Sequence, residues 1–269
     1  MEIIIGIIIF FFGVIIGSFL NVVILRMNTG RTLKGRSMCF SCGKTLHWHE
    51  LVPLASFFVQ RGKCTKCRAR ISWQYPIVEA ITGLVFLFIT MKYMYLIPWN
   101  VPYFLILLTF SVFVFSIWIV ISVYDIRHTI IPNGLVWCLN GVIFASLFLL
   151  GENGVVLHTP SFEQILAGPV IALPFALLWR FSKGKLMGLG DAKLMLGMGW
   201  LLGLMPGIIT IVISFWIGAA ISIMLMVLNK KKKYNMQSAI PFGPFLVLGT
   251  FLVFVFSQYF ESFVLMLSV

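Results

Sequence analysis

Apolar residues run through this chain in long unbroken blocks, not in the alternating or striped patterns of a soluble domain. Eight blocks are legible, at 3–25, 76–96, 102–124, 131–150, 163–181, 191–204, 207–228 and 241–267. Most approach the roughly 20 residues that a helix needs to cross a bilayer, so each is predicted to be a transmembrane helix. The block at 191–204 is the shortest, and Pro206 separates it from the next by only a tight turn. The first block has no basic n-region, is long and leads directly into a basic segment, so it reads as a retained helix and not a cleaved signal.

Composition agrees. Apolar residues make up 60% of the chain and charged residues 10%, against about a quarter charged in soluble domains. The expected fold class is all-α and polytopic. The formal charge of +12 suggests nucleic acid only until its distribution is seen. Basic residues fill the segment 26–75, then recur at Arg127, at Arg180, Lys183 and Lys185, and at 230–233. The alternate connections near Pro98, at 151–161 and near Pro206 contain no Lys or Arg. This strict alternation predicts cytoplasmic basic loops and both termini on the outer side. The expected surroundings are a lipid bilayer, with no nucleic-acid partner.

Three regions follow: a first transmembrane helix (1–25), a cytoplasmic insert (26–75) and a seven-helix membrane domain (76–269). An insert of this size is too small to build a strong core unaided. It carries two Cys-x-x-Cys pairs, Cys39/Cys42 and Cys64/Cys67, separated by 21 residues, just beyond the usual zinc-ribbon gap. Two such turns complete a tetrathiolate zinc site, structural because four sulfurs leave no open position. The alternative is two disulfides, which a reducing cytoplasm disfavours. His47 and His49 are possible substitute ligands, and Cys138 reads as a small packing residue.

Only two of the eight acidic residues are aspartates. Asp125 closes the third block and Asp191 opens the sixth, both at predicted cytoplasmic ends. Ionisable groups at membrane depth are functional candidates. Taken singly, Asp191 also reads as a helix N-cap and Asp125 as a boundary residue paired with Arg127 or Lys193. Together they form a pair suited to hydrolysing an unactivated amide, one taking a proton from water and the other protonating the carbonyl oxygen. No Gly-x-Ser-x-Gly or His-Glu-x-x-His motif offers a rival chemistry. Gly188 and Gly190 leave bare backbone where an unwound substrate strand must approach, though a plain turn between spans explains them too.

These residues, in this order, resemble the prepilin peptidases (type IV leader peptidases) of the Gly-x-Gly-Asp class of intramembrane aspartyl proteases. The likeness runs through Gly17-Ser18-Phe19-Leu20-Asn21-Val22-Val23, the Cys pairs and Tyr75-Pro76-Ile77-Val78-Glu79. It continues through Asp125 with Ile131-Pro132-Asn133, then Gly188-Leu189-Gly190-Asp191-Ala192-Lys193 and Pro241-Phe242-Gly243-Pro244-Phe245. Asn133 stands where many relatives carry Asp. The resemblance implies a bacterial cytoplasmic-membrane enzyme, active at the cytoplasmic face, that cuts a basic leader from type IV prepilins and pseudopilins. It also implies N-methylation of the new terminus with S-adenosylmethionine, with Glu79 a candidate residue; pairing of Glu79 with Arg68 or Arg70 is the competing expectation. Two other readings compete: a peptidase that keeps the insert only as scaffold, and a membrane transporter with a zinc-stapled loop. A transporter is expected to show internal repeats or broken helices near the midplane, and the sequence has no convincing repeat.

Overall fold

Backbone inside hydrocarbon must satisfy its own hydrogen bonds, which forces apolar blocks into helices. The computed structural model describes residues 2–30, 32–151, 154–155, 157–228 and 241–257. Within them, eight helices of 13 residues or more occupy the places of the eight blocks. They are α1 (Glu2–Arg26), α3 (Gln74–Tyr93), α4 (Val101–His128), α5 (Asn133–Leu149), α6 (Phe162–Ser182), α7 (Leu189–Leu202), α8 (Leu204–Leu228) and α9 (Gly243–Val255). A short helix, α2 (Ala55–Val59), lies in the insert. Five helices (α1, α3, α4, α6 and α8) are long and apolar enough to cross a membrane, and the chain is a multi-pass helical membrane protein. The basic stretch 230–233 and the end of the last block, 258–267, lie outside the described residues.

Three boundaries differ from the sequence pattern. Helix α4 runs past Asp125 to His128, because its main-chain ladder does not stop where apolar side chains do. Helix α7 starts at Leu189 with Gly188 as N-cap, so Asp191 sits inside the first turn and does not cap it. The break before α8 falls at Gly203, whose φ of +85° suits glycine. Pro206 lies in the first turn of α8, where its missing N–H costs nothing. A two-residue hairpin, β1 (Leu150–Gly151) with β2 (Gly154–Val155), was not foreseen in the connection after α5.

The chain divides into two compact units, Met1–Ser116 and Ile117–Val269. In the first, α1 packs along α3 through small residues, the membrane route to close helix contact. A Cβ on Gly13 would stand 2.9 Å from the Gly83 Cα, and one on Gly17 would stand 2.8 Å from the Glu79 Cα. Asn21, fully buried, donates to the Tyr75 carbonyl at 3.2 Å and accepts from Gln74 Nε2 at 3.3 Å. The two motifs around Asn21 and Tyr75 are therefore halves of one helix seam. On the other side of α1, Ile4, Ile8, Phe11, Ile15 and Phe19 are each more than half exposed, a stripe suited to lipid.

In the second unit, α7 is the central helix, touching α5, α6, α8 and α9. A Cβ on Gly199 would meet the Ala167 carbonyl oxygen at 2.8 Å, and one on Gly168 would meet the Leu196 carbonyl oxygen at 2.7 Å. On the face toward α5, buried Asn140 donates to the Lys193 carbonyl at 2.9 Å and its side chain lies against Gly197. Polar side chains in the spans return to their own helix: Thr82, Thr90, Ser214 and Thr250 each donate to the carbonyl four residues back, as hydroxyls do where no water is available.

Candidate active site and metal centre

Asp125 rides on the last turn of α4 and Asp191 on the first turn of α7. Both are nearly closed off, at 4% and 7% exposure, and the two carboxyls lie within electrostatic reach of each other. The backbone of Gly243, the first residue of α9, supplies the roof. A Cβ there would stand 2.7 Å from Asp125 Oδ2 and 3.5 Å from both Ile131 and Leu194. Its amide is oriented toward the Asp125 carboxylate. In the sequence, Pro241-Phe242-Gly243-Pro244-Phe245 stands out only as a motif, with no role for Gly243. The prolines around it mark a helix start and carry no sign of the carboxylate beside it.

The two motif glycines differ. A Cβ on Gly190 would collide with Ile131 at 2.8 Å, whereas one on Gly188 would meet only Asp191 Oδ2 at 3.7 Å and Gly190 N at 3.9 Å. Gly190 is small because Ile131 packs onto it; Gly188 leaves free space beside a carboxylate. Lys193 is held by Asn133, its Nζ donating to Oδ1 at 2.8 Å, and His128 packs against Tyr124 with ring centroids 4.4 Å apart and the planes tilted by 34°. The dyad is thus set in apolar packing, with the adjacent Lys193 amine engaged elsewhere.

In the insert, two knuckles repeat one backbone design. Gly43 N donates to the Cys39 carbonyl and Cys39 N to that of Lys44; Arg68 N donates to the Cys64 carbonyl and Cys64 N to that of Ala69. The residue after each second cysteine has positive φ, +68° at Gly43 and +61° at Arg68. A β-bridge closes each knuckle, Met38 with Thr45 and Lys63 with Arg70. The four sulfurs lie within 4.8 Å of one another, and Cys39 and Cys67 are 3.8 Å apart. A tetrahedron with Zn–S bonds of about 2.3 Å has edges of about 3.8 Å, so the donor set fits zinc. Amides of Cys42 and Ser41 hold the Cys39 thiol below its usual range and those of Cys67 and Lys66 hold Cys64 down to about 6, whereas at Cys67 the Ala69 amide is outweighed by burial and the neighbouring thiols, which push it up to about 11. Thiolate is the form a metal needs.

Glu50, which sequence reasoning passed over, ties the knuckles together. It accepts from the His47 amide at 2.9 Å and from Lys44 Nζ at 2.7 Å; Thr65, on the other knuckle, donates to the same carboxylate. The signal was that Glu50 is the only acid between 26 and 75. Glu79 is buried in α3 and accepts from the Leu54 amide at 2.7 Å. Its partners are therefore the backbone just before α2 and the Ser18 hydroxyl, not Arg68 or Arg70.

Two buried aspartates gathered at helix ends under a glycine, in a multi-pass membrane protein, make a candidate acid–base pair. Residues 11–93 match the Bacterial Peptidase A24 N-terminal domain and residues 112–223 match the Type IV leader peptidase family. The chain is similar to the prepilin leader peptidase/N-methyltransferase of Legionella pneumophila, 32% identical over 80% of this chain and 70% of that one. That of Aeromonas hydrophila is 30% identical, covering 90% and 87%, and that of Bacillus subtilis (strain 168) is 28% identical, covering 95% and 96%. No solved structure matches the chain. The chain belongs to the type IV leader peptidase family. Membership sets aside the transporter alternative.

Proposed function

We propose that the protein cleaves the leader from type IV prepilins or pseudopilins with Asp125 and Asp191 as its catalytic pair, and methylates the amine it exposes. The observation that carries this reading is the burial of the chain's only two aspartates within electrostatic reach of each other. One carboxylate takes a proton from water as the oxygen attacks the peptide carbonyl, while the partner, in its acid form, protonates the carbonyl oxygen. The tetrahedral intermediate then collapses as a proton passes to the leaving nitrogen. Gly188 offers bare backbone beside Asp191, where an extended substrate strand can lie; Gly190 keeps α7 close to Ile131 and so fixes the direction of Asp191.

The basic connections support eight crossings of the inner membrane, both termini outside and a dyad at the cytoplasmic edge. There a substrate helix emerges with its positively charged leader. Cys39, Cys42, Cys64 and Cys67 hold a structural zinc ion that shapes the insert and takes no part in the chemistry. S-adenosylmethionine supplies the methyl group in the second activity. Glu79 contributes by anchoring Leu54, and with it the insert, against α3.

The test is incubation of the purified protein with a prepilin-like peptide spanning leader and hydrophobic helix, with and without S-adenosylmethionine. Mass measurement should find a leader-sized loss, and a further methyl only with the donor. An intact peptide ends the peptidase reading. Cleavage without methylation leaves the insert as scaffold.

A further inference from the structure

The insert carries a cleft of about 430 Å³ that neither the dyad nor the zinc site uses. Its apolar wall is Phe57, Phe58 and Trp73; its rim is Arg61, Lys63 and Arg70. Phe57 packs on Trp73 with ring centroids 4.8 Å apart, whereas Phe58, Val59 and Trp73 are 62%, 81% and 62% exposed. Among the described residues, no hydrogen bond or ion pair engages the side chains of the three cations, and the one ion pair in the insert, Lys44–Glu50, lies elsewhere.

The fold fixes the level of this surface. The Leu54 amide is bonded to Glu79, five residues beyond the first residue of α3, about 7.5 Å along the helix axis. Helix α2 starts at the next residue, so it lies beside the first turns of a membrane helix, where headgroups begin. Direction is fixed as well. Trp73, Ile77, Ile81 and Leu84 form one exposed stripe, at 62%, 50%, 46% and 45%, because residues three and four apart share a helix face. Trp73 is the top of the exposed stripe of α3; Phe57, itself buried, packs on it, and exposed Phe58 shares the same cleft in the insert.

We infer that the insert docks onto the bilayer surface beside α3, with Phe58, Val59 and Trp73 in the interface and Arg61, Lys63 and Arg70 holding the phosphates of anionic phospholipids. Aromatic rings favour that depth and cations follow acidic headgroups there. The charge selects this occupant over others. Between 26 and 75 there are ten Lys and Arg against one acid, so a basic peptide is repelled. A sulfonium donor finds no carboxylate in the cleft lining.

The test places the photo-crosslinker benzoylphenylalanine at Phe58 in the full-length protein, in nanodiscs of equal phosphatidylglycerol and phosphatidylcholine; the same probe at Ile81 reports an embedded α3. Mass analysis should find lipid adducts at both sites. At Phe58 phosphatidylglycerol adducts should outnumber phosphatidylcholine adducts at least about twofold, and the two should become equal in the variant Arg61→Gln/Lys63→Gln/Arg70→Gln. At Ile81 the adducts should follow bilayer composition in both proteins. The proposal is overturned if Phe58 gives no lipid adduct, or crosslinks to protein, while Ile81 gives lipid. It is equally overturned if the phosphatidylglycerol excess at Phe58 is absent or survives the triple substitution.

Discussion

Gly243 stands so close to Asp125 that a single methyl on its Cα would reach within 2.7 Å of the carboxylate oxygen. The helix that roofs the site thereby fixes where that carboxyl can be. Gly243→Ala should leave the protein in the membrane but push Asp125 out of register with Asp191. Misplacement by about 1 Å can cost on the order of a hundredfold in rate. Peptide cleavage by the purified variant is the measurement, and a rate within twofold or so of the parent's would mean the carboxyl simply gives way.

Asp125→Asn and Asp191→Asn should each reduce cleavage by at least about a hundredfold, because neither carboxyl alone performs both proton transfers. Methylation of a substrate supplied already cut should persist in both variants. Loss of the second activity along with the first would mean that the substitutions disturb the whole protein.

Glu50→Gln should loosen the metal centre without touching a cysteine. The His47 amide, the Lys44 amine and the Thr65 hydroxyl hold the Glu50 carboxyl at about 2, down from its ordinary 4.5. A lowered carboxyl contributes its stability above about 4.5 and loses it as the pH falls through about 2. Zinc release to a colorimetric chelator should therefore be faster in the variant at neutral pH. Equal release at pH 7 would show that the knuckles hold together without their shared acid.

Glu79 tests the link between insert and membrane helices. Glu79→Ala removes the acceptor of the Leu54 amide, whose residue has a positive φ of +59°. Methylation should fall well below cleavage, and Glu79→Gln, which keeps an acceptor oxygen, should recover much of it. Equal loss of both activities in the Ala variant would make the contact one of general stability.

Much of this was legible in advance because membranes simplify the code. Long apolar blocks have one outcome, and the eight blocks map onto eight helices within a few residues at most ends. The cysteine spacing and the scarcity of aspartate likewise announced themselves as composition. What stayed hidden depended on where backbone passes backbone. The overrun of α4 beyond Asp125, the start of α7 two residues before Asp191 and the roof at Gly243 are features of main-chain geometry, which hydropathy does not encode. Glu50 was missed for a related reason: one acid in a basic segment looks like a solvated exception until its three donors are seen.

The helix bearing Asp191 is keyed like a shaft in a slotted collar. Asn140 fits against it at Gly197 and the Ala167–Gly168 backbone fits against it at Gly199, so any turn about its own axis drives a side chain into one wall or the other. Asp191 therefore rides on a helix whose rotation is set by its neighbours. Asp125 is stopped by other means, the bare main chain of Gly243 standing over its carboxyl, so the two aspartates, alike in chemistry, are unlike in how they are held: one by the keying of its helix, the other by a wall of backbone.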